Sequence, residues 1–181
     1  MSIYSNRAGS TEAEISEYVG ALLALLGDQD PVAVLRETPA AVQRFLDSTP
    51  PEIVGKPEAP GKWSIGVVIQ HLADSELVGG FRLRLILAQD RPPLAAYDQD
   101  RWASRLRYDG ADVREALDRF KVLRRANLRL WQDLSPADLA RVGVHGERGE
   151  ESLEQLRRLY AGHDVLHLRQ LLRIRATVLE A

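Results

Sequence analysis

Apolar residues recur at three- and four-residue spacing through four long stretches of the chain, the period of an amphipathic helix. In the first stretch Ile15, Tyr18, Val19, Leu22, Leu23 and Leu26 share a face, and Gly27-Asp28 supplies a stop. Pro31 to Leu35 reads as a short helical turn, and Thr38-Pro39 as the N-cap and first-turn proline of a segment ending near Asp47. Thr49 to Lys62 is rich in proline and glycine and reads as a connecting loop without regular structure. Ser64 caps a second long helix predicted over 65–88, with Trp63 as a hydrophobic staple. Ile65, Val68, Ile69, Leu72, Leu77 and Phe81 are among its apolar positions. Gly79-Gly80 costs that helix about 1 kcal/mol per glycine relative to alanine, or marks a close helix approach. Arg91-Pro92-Pro93 ends it.

The third long helix is predicted over 111–133, with Val113, Ala116, Leu117, Phe120, Leu123, Asn127, Leu130 and Trp131 inward. Its many arginines, interleaved with acids, are assigned to a solvated face. Ser135-Pro136 with Asp138 opens a short capped helix, and Gly143 to Gly149 reads as a flexible charged loop. Ser152 with Gln155 launches the last helix, predicted over 153–179, whose inward stripe carries Leu156, Leu159, Tyr160, His163, Leu166, His167, Gln170, Ile174 and Val178. No segment reads as a strand. The pattern predicts an all-α fold, a four-helix bundle formed by residues 11–181 as one domain, behind a loose polar arm at 1–10. Connections at 27–63, 89–110 and 134–151 are long enough to permit a non-sequential helix order.

Composition narrows the function classes. The 181 residues show no shift that divides them into two domains. Basic and acidic residues number 24 and 26, and neither this balance nor any basic-aromatic patch points to nucleic acid. There is no cysteine, which removes disulfides, thiolate ligands and a cysteine nucleophile, so any thiol chemistry must bring its thiol from outside. No signal-peptide pattern and no apolar run of about 18 residues is present, so a cytoplasmic protein without a membrane span is expected.

The chemistry concentrates in the histidines. His163 and His167 lie one helical turn apart, about 40° around the axis, and point off one face. His71, in Gln70-His71-Leu72-Ala73-Asp74, occupies another apolar helix. If the two helices pack together, three imidazoles meet in the core; such neutral ligands suit Zn or Ni and leave coordination positions open. The alternative is buried histidines bonded to backbone or to Asp164 and Asp74. Those aspartates read as partners of nearby arginines or as outer partners of an imidazole N–H. His145 sits between glycines, as an exposed residue or as a base or substrate contact over a metal. Asp98, Asp100 and Trp102 read as cap, surface and anchoring residues, or as a pocket wall.

Gly61-Lys62-Trp63-Ser64-Ile65, His71-Leu72-Ala73-Asp74-Ser75-Glu76, Tyr97-Asp98-Gln99-Asp100-Arg101-Trp102, His145-Gly146-Glu147-Arg148-Gly149 and Ala161-Gly162-His163-Asp164-Val165-Leu166-His167-Leu168 occur in that order. Together they resemble the DinB-like superfamily, in its YfiT-like branch of metal-dependent proteins. The resemblance implies a four-helix bundle in up-down-down-up order, a divalent metal (typically Ni or Zn) on His71, His163 and His167, and a homodimer. It further suggests a transferase that joins a low-molecular-weight thiol, such as bacillithiol, mycothiol or glutathione, to an electrophilic small-molecule substrate, with His145 or Asp74 moving a proton. A metal-dependent hydrolase with the same ligands, or a non-catalytic metal or small-molecule binding protein, are the alternatives. Direct DNA contact is not expected.

Overall fold

Short polar side chains start nearly every helix in the computed structural model, which describes residues 11–180; the arm expected at 1–10 lies outside the described residues. Thr11 and Glu14 form a reciprocal capping box on α1 (Glu12–Leu26). Asp30 caps α2 (Pro31–Asp47), Ser64 caps α3 (Ile65–Ala88), and Asp98 caps a short α4 (Gln99–Arg105). Asp112 caps α5 (Val113–Gln132), and Ser135 with Asp138 boxes the single turn of α6 (Pro136–Leu139). At the head of α7 (Leu153–Glu180), the Gln155 N–H donates to Ser152 Oγ at 3.1 Å.

Two expected boundaries are corrected. Residues 31–47 form one helix, with Pro39 in its interior. Proline has no N–H for the Leu35 carbonyl, but Arg124 Nη1 donates to that oxygen at 2.7 Å, so the gap in the helix is filled from α5. The stretch read as a loop at 143–149 lies largely in a hairpin, β2 (Val142–His145) and β3 (Gly149–Ser152), with β1 (Pro93–Leu94) parallel to β2. Its pattern inverts residue type: Val144 faces out while Gly143 and His145 are buried. A Cβ at Gly143 would lie 2.8 Å from the Leu94 side chain, so any larger residue there must displace Leu94.

The plain four-helix bundle is corrected as well. Seven α-helices are present among the described residues. The four that surround the core are α2, α3, α5 and α7: α2 and α3 each pack on both α5 and α7, and so occupy opposite corners. Helix α1, expected as a corner, lies outside on α7. Close approach is written in glycine: a Cβ at Gly79 would meet the Tyr160 ring at 2.5 Å, and one at Gly162 the Leu22 carbonyl oxygen at 2.2 Å. Leu77 and Phe81, counted as apolar positions of α3, are instead exposed, at 51% and 61%.

The core has two apolar ends. One gathers Phe45, Ile65, Ile69, Leu117, Phe120 and Ile174; the other gathers Leu26, Leu35, Leu83, Ile86, Trp131 and Leu156. Between them, in the order of α3, α5 and α7, lies a buried polar layer containing His71, Glu76, Arg124, Asn127, Asp164 and His167. No single described helix is long and apolar enough to cross a membrane.

Candidate metal centre

The polar layer is tied together by Arg124, the exception to the solvated face assigned to the arginines of α5, where Arg114, Arg119, Arg125 and Arg129 are exposed. The Arg124 side chain is 2% exposed and reaches Asp164 at 2.5 and 3.1 Å and Glu76 at 2.9 Å. Burial pulls its pKa down, and the two carboxylates more than reverse this, leaving it raised and the guanidinium charged. Asp164 is therefore committed to Arg124 and orients α7 beside His163.

On the other side of that helix turn, His163 and His167 meet His71 of α3. His163 Nε2 lies 3.0 Å from His71 Nε2 and 3.0 Å from His167 Nε2. All three rings are buried, and one nitrogen of each falls within 4.8 Å of the others. Ligands at the usual Zn–N distance of about 2.0–2.1 Å in a tetrahedron stand about 3.3 Å apart, so the cluster needs only slight opening to hold an ion. His167 Nδ1 is 2.7 Å from Gln170 Oε1, an acceptor, which puts the ring proton on Nδ1 and the Nε2 lone pair toward the cluster. Burial lowers the pKa of all three, followed by mutual repulsion for His71 and His163; His167 falls to about 4. Neutral imidazoles with converging lone pairs are the donor set of a divalent transition metal. The Trp63 ring stands 5.0 Å from the His71 ring and limits its movement.

His163 also lines a cleft of about 650 Å³, its open mouth included. Tyr18, Val19 and Leu22 of α1, Ser75 and Arg82 of α3, Tyr97, and Leu156, Leu159 and Tyr160 of α7 form much of its wall. His145 and Arg148 come from the hairpin. His145, expected at an exposed loop or over a metal, is buried at 2% exposure and faces this cleft. The backbone N–H groups of Glu147 and Arg148 approach its Nδ1 at 3.2 and 3.3 Å, making Nδ1 the acceptor and leaving the ring proton on Nε2. Burial, then the charges of Arg148 and Arg82, push its pKa down to about 4. Burial raises the Tyr18 and Tyr160 phenols and pushes Tyr97 up to about 12, so all three are protonated near neutral pH.

The other expected residues are placed apart from this wall. Asp74 accepts from the Tyr108 hydroxyl at 2.5 Å and stands 3.9 Å from Arg119. Asp98 is the α4 cap, Trp102 packs on Tyr97 at 4.6 Å, and Asp100 is exposed on α4. From that segment Ala96, Tyr97 and Gln99 line the cleft. Arg82 was missed, though a signal exists: it follows His71 by eleven residues, about 20° around the helix axis, on the same face.

The family model of the DinB superfamily matches residues 35–171. The chain belongs to the DinB superfamily. Within it the relatives place the chain in the YfiT-like branch. A protein of Oceanobacillus iheyensis is 33% identical over 108 residues, 60% of this chain and 62% of that protein, so the match spans a little under two thirds of the relative's length. A Bacillus mycoides protein is 26% identical over 150 residues, covering 83% of this chain and 86% of its own. The solved structure of YfiT from Bacillus subtilis, described as a probable metal-dependent hydrolase with an unusual four-helix bundle topology, superposes with a TM-score of 0.72 at 22% identity, over 94% of this chain and 92% of that one. The two former relatives are likewise provisionally named metal-dependent hydrolases. These names correct the expected thiol S-transferase: the relatives are designated for hydrolysis, and none of the three for thiol transfer.

Proposed function

We propose that the protein is a metal-dependent hydrolase acting on a small molecule held in the cleft beside His163. The observation that carries this reading is the convergence of the His71, His163 and His167 Nε2 atoms at the edge of that cleft. Zn or Ni, which His71, His163 and His167 would hold, would supply a Lewis acid that polarises the substrate and activates water. Three protein ligands leave a position open, as catalytic rather than structural sites do. The chain's own part is to keep the three rings neutral by burial, fix the His167 tautomer through Gln170, and shape the approach. His145 faces the substrate with Nε2–H as a hydrogen-bond donor; Asp74, engaged by Tyr108, stays outside the reaction. The hydrolase names of the relatives support the reaction class.

The test is turnover of a panel of chromogenic esters and amides by protein carrying Zn or Ni, with no thiol added, beside chelated protein and His163→Ala. Hydrolysis is expected only with metal present and falls to background in the variant. Activity that survives both chelation and His163→Ala, or metal binding without turnover of any ester or amide, refutes the assignment.

A further inference from the structure

Arg82 differs from the buried Arg124 and the part-buried Arg148. It is 5% exposed, donates Nη2 to the Ala95 carbonyl at 2.6 Å, and lies 3.1 Å from His145 Nε2. Its Nε is buried without a partner, as are those of Arg124 and Arg157, so the difference lies in its charge balance. Among the described residues it forms no ion pair, whereas Arg124 is balanced by Asp164 and Glu76, and Arg148 by Glu151 at 2.5 Å. A guanidinium buried without a countercharge costs several kcal/mol or more, and such a charge is ordinarily paired. Glu147 also lines the cleft but makes no ion pair with Arg82.

The contact with His145 is also incomplete. With Nδ1 facing two backbone N–H groups, Nε2 carries the proton and meets the Arg82 guanidinium donor against donor. One anionic oxygen accepting from both resolves the conflict. The surroundings favour such a charge. All three candidate metal ligands are neutral imidazoles, and Glu76 and Asp164 against Arg124 leave one negative charge beside them, so part of a divalent ion's charge is left to be balanced by what enters the cleft.

We propose that Arg82 and His145 form an anion subsite that holds a carboxylate of the substrate while its reacting bond faces the histidine cluster. This rests on the cleft being the active site of the proposed hydrolase and adds the substrate class: a small carboxylate-bearing molecule with an apolar portion. That portion lies along Val19, Leu22, Leu156 and Leu159, which supply the apolar wall.

The probe is hexanoate, with hexanamide as its uncharged counterpart, titrated calorimetrically into the full chain as purified with its metal. Hexanoate is expected to bind at least tenfold more tightly than hexanamide, and Arg82→Met to abolish that preference while retaining metal. Unchanged hexanoate binding by Arg82→Met means that the carboxylate sits on the metal, and overturns the proposal. Repeating the titration on chelated wild-type protein covers the case in which Arg82→Met does not fold: a retained preference supports the subsite, and equal binding of the two probes overturns it. Turnover without discrimination between the probes sinks this inference alone, whereas discrimination without turnover sinks the hydrolase reading and, with it, the substrate role, leaving Arg82 and His145 as an anion-binding site.

Discussion

Replacing Arg124 by Met removes the one cation shared by two buried carboxylates and a helix carbonyl. Glu76 and Asp164 lose contacts of 2.9 and 2.5 Å at sites that are 5% and 1% exposed, and the Leu35 carbonyl loses its 2.7 Å donor. Breaking a buried pair from one side costs about 3–5 kcal/mol. That approaches the whole of a marginal domain's stability, about 5–15 kcal/mol. The carbonyl provides the more discriminating test, because its donor is missing only through Pro39. Pro39→Ala restores an N–H four residues on and should stabilise the Arg124→Met protein more than it stabilises wild type. The excess is about 1–3 kcal/mol, the cost of an unsatisfied buried polar group.

Urea unfolding of the wild type, the two single variants and the double variant closes the cycle. Coupling within about 0.5 kcal/mol of zero, the level expected of independent sites, would refute the claim that α5 completes the hydrogen bonding of α2.

Three further outcomes follow from the site. Gly162→Ala should lose about 1–3 kcal/mol in urea unfolding despite the better helix propensity of alanine, because its Cβ would sit 2.2 Å from the Leu22 carbonyl oxygen; a stabilised variant refutes the close approach of α1 and α7. Gln170→Leu should weaken metal affinity by about 10–100-fold in a competitive chelator titration while the fold is kept, since Gln170 sets the His167 tautomer, and unchanged affinity removes it from the site. The metal-free protein should lose stability as pH falls from about 6.5, the ordinary histidine value, toward the folded-state values near 4 of His145 and His167. In that window the unfolded chain binds protons that the folded chain refuses, at up to about 1.4 kcal/mol per pH unit for each histidine; unfolding free energy that is flat from pH 7 to 5 contradicts buried neutral rings.

Much of the helical architecture is legible because capping is local chemistry. Ser64, Ser135 with Asp138, and Ser152 with Gln155 announce their helix starts within a few residues, and the starts fall where they announce them. What fails is whatever a distant residue decides. Thr38-Pro39 has the form of a helix start, and α2 continues through it because Arg124, far along the chain, donates to Leu35. The strand β2 is hidden because burial of Gly143 against Leu94, and of His145 beside Arg82, reverses the ordinary reading of which side chains face inward. The placement of α1 outside the ring escapes for a related reason: an amphipathic face tells that a helix packs, and not on which neighbour.

The candidate site divides along the same line. His71, His163 and His167 are legible because residue type and position agree, each lying on an apolar stripe with a side chain that ligates. Arg124 and Arg82 are illegible only while type outranks position. Arg124 follows Phe120 by four residues and precedes Trp131 by seven, so the helical period puts it in the inward stripe of α5; Arg82 shares the face of His71. A cation on such a stripe demands a negative partner. For Arg124 the partners are Glu76 and Asp164, on α3 and α7 beside the histidines, so the ion network and the histidine cluster fix the same helix turns. For Arg82 no such partner is present among the described residues, and it stands on the cleft. The same violation of the hydrophobic pattern therefore has two meanings, told apart by whether the chain itself supplies the countercharge: where it does, the arginine holds helices together, and where it does not, the arginine points to a ligand.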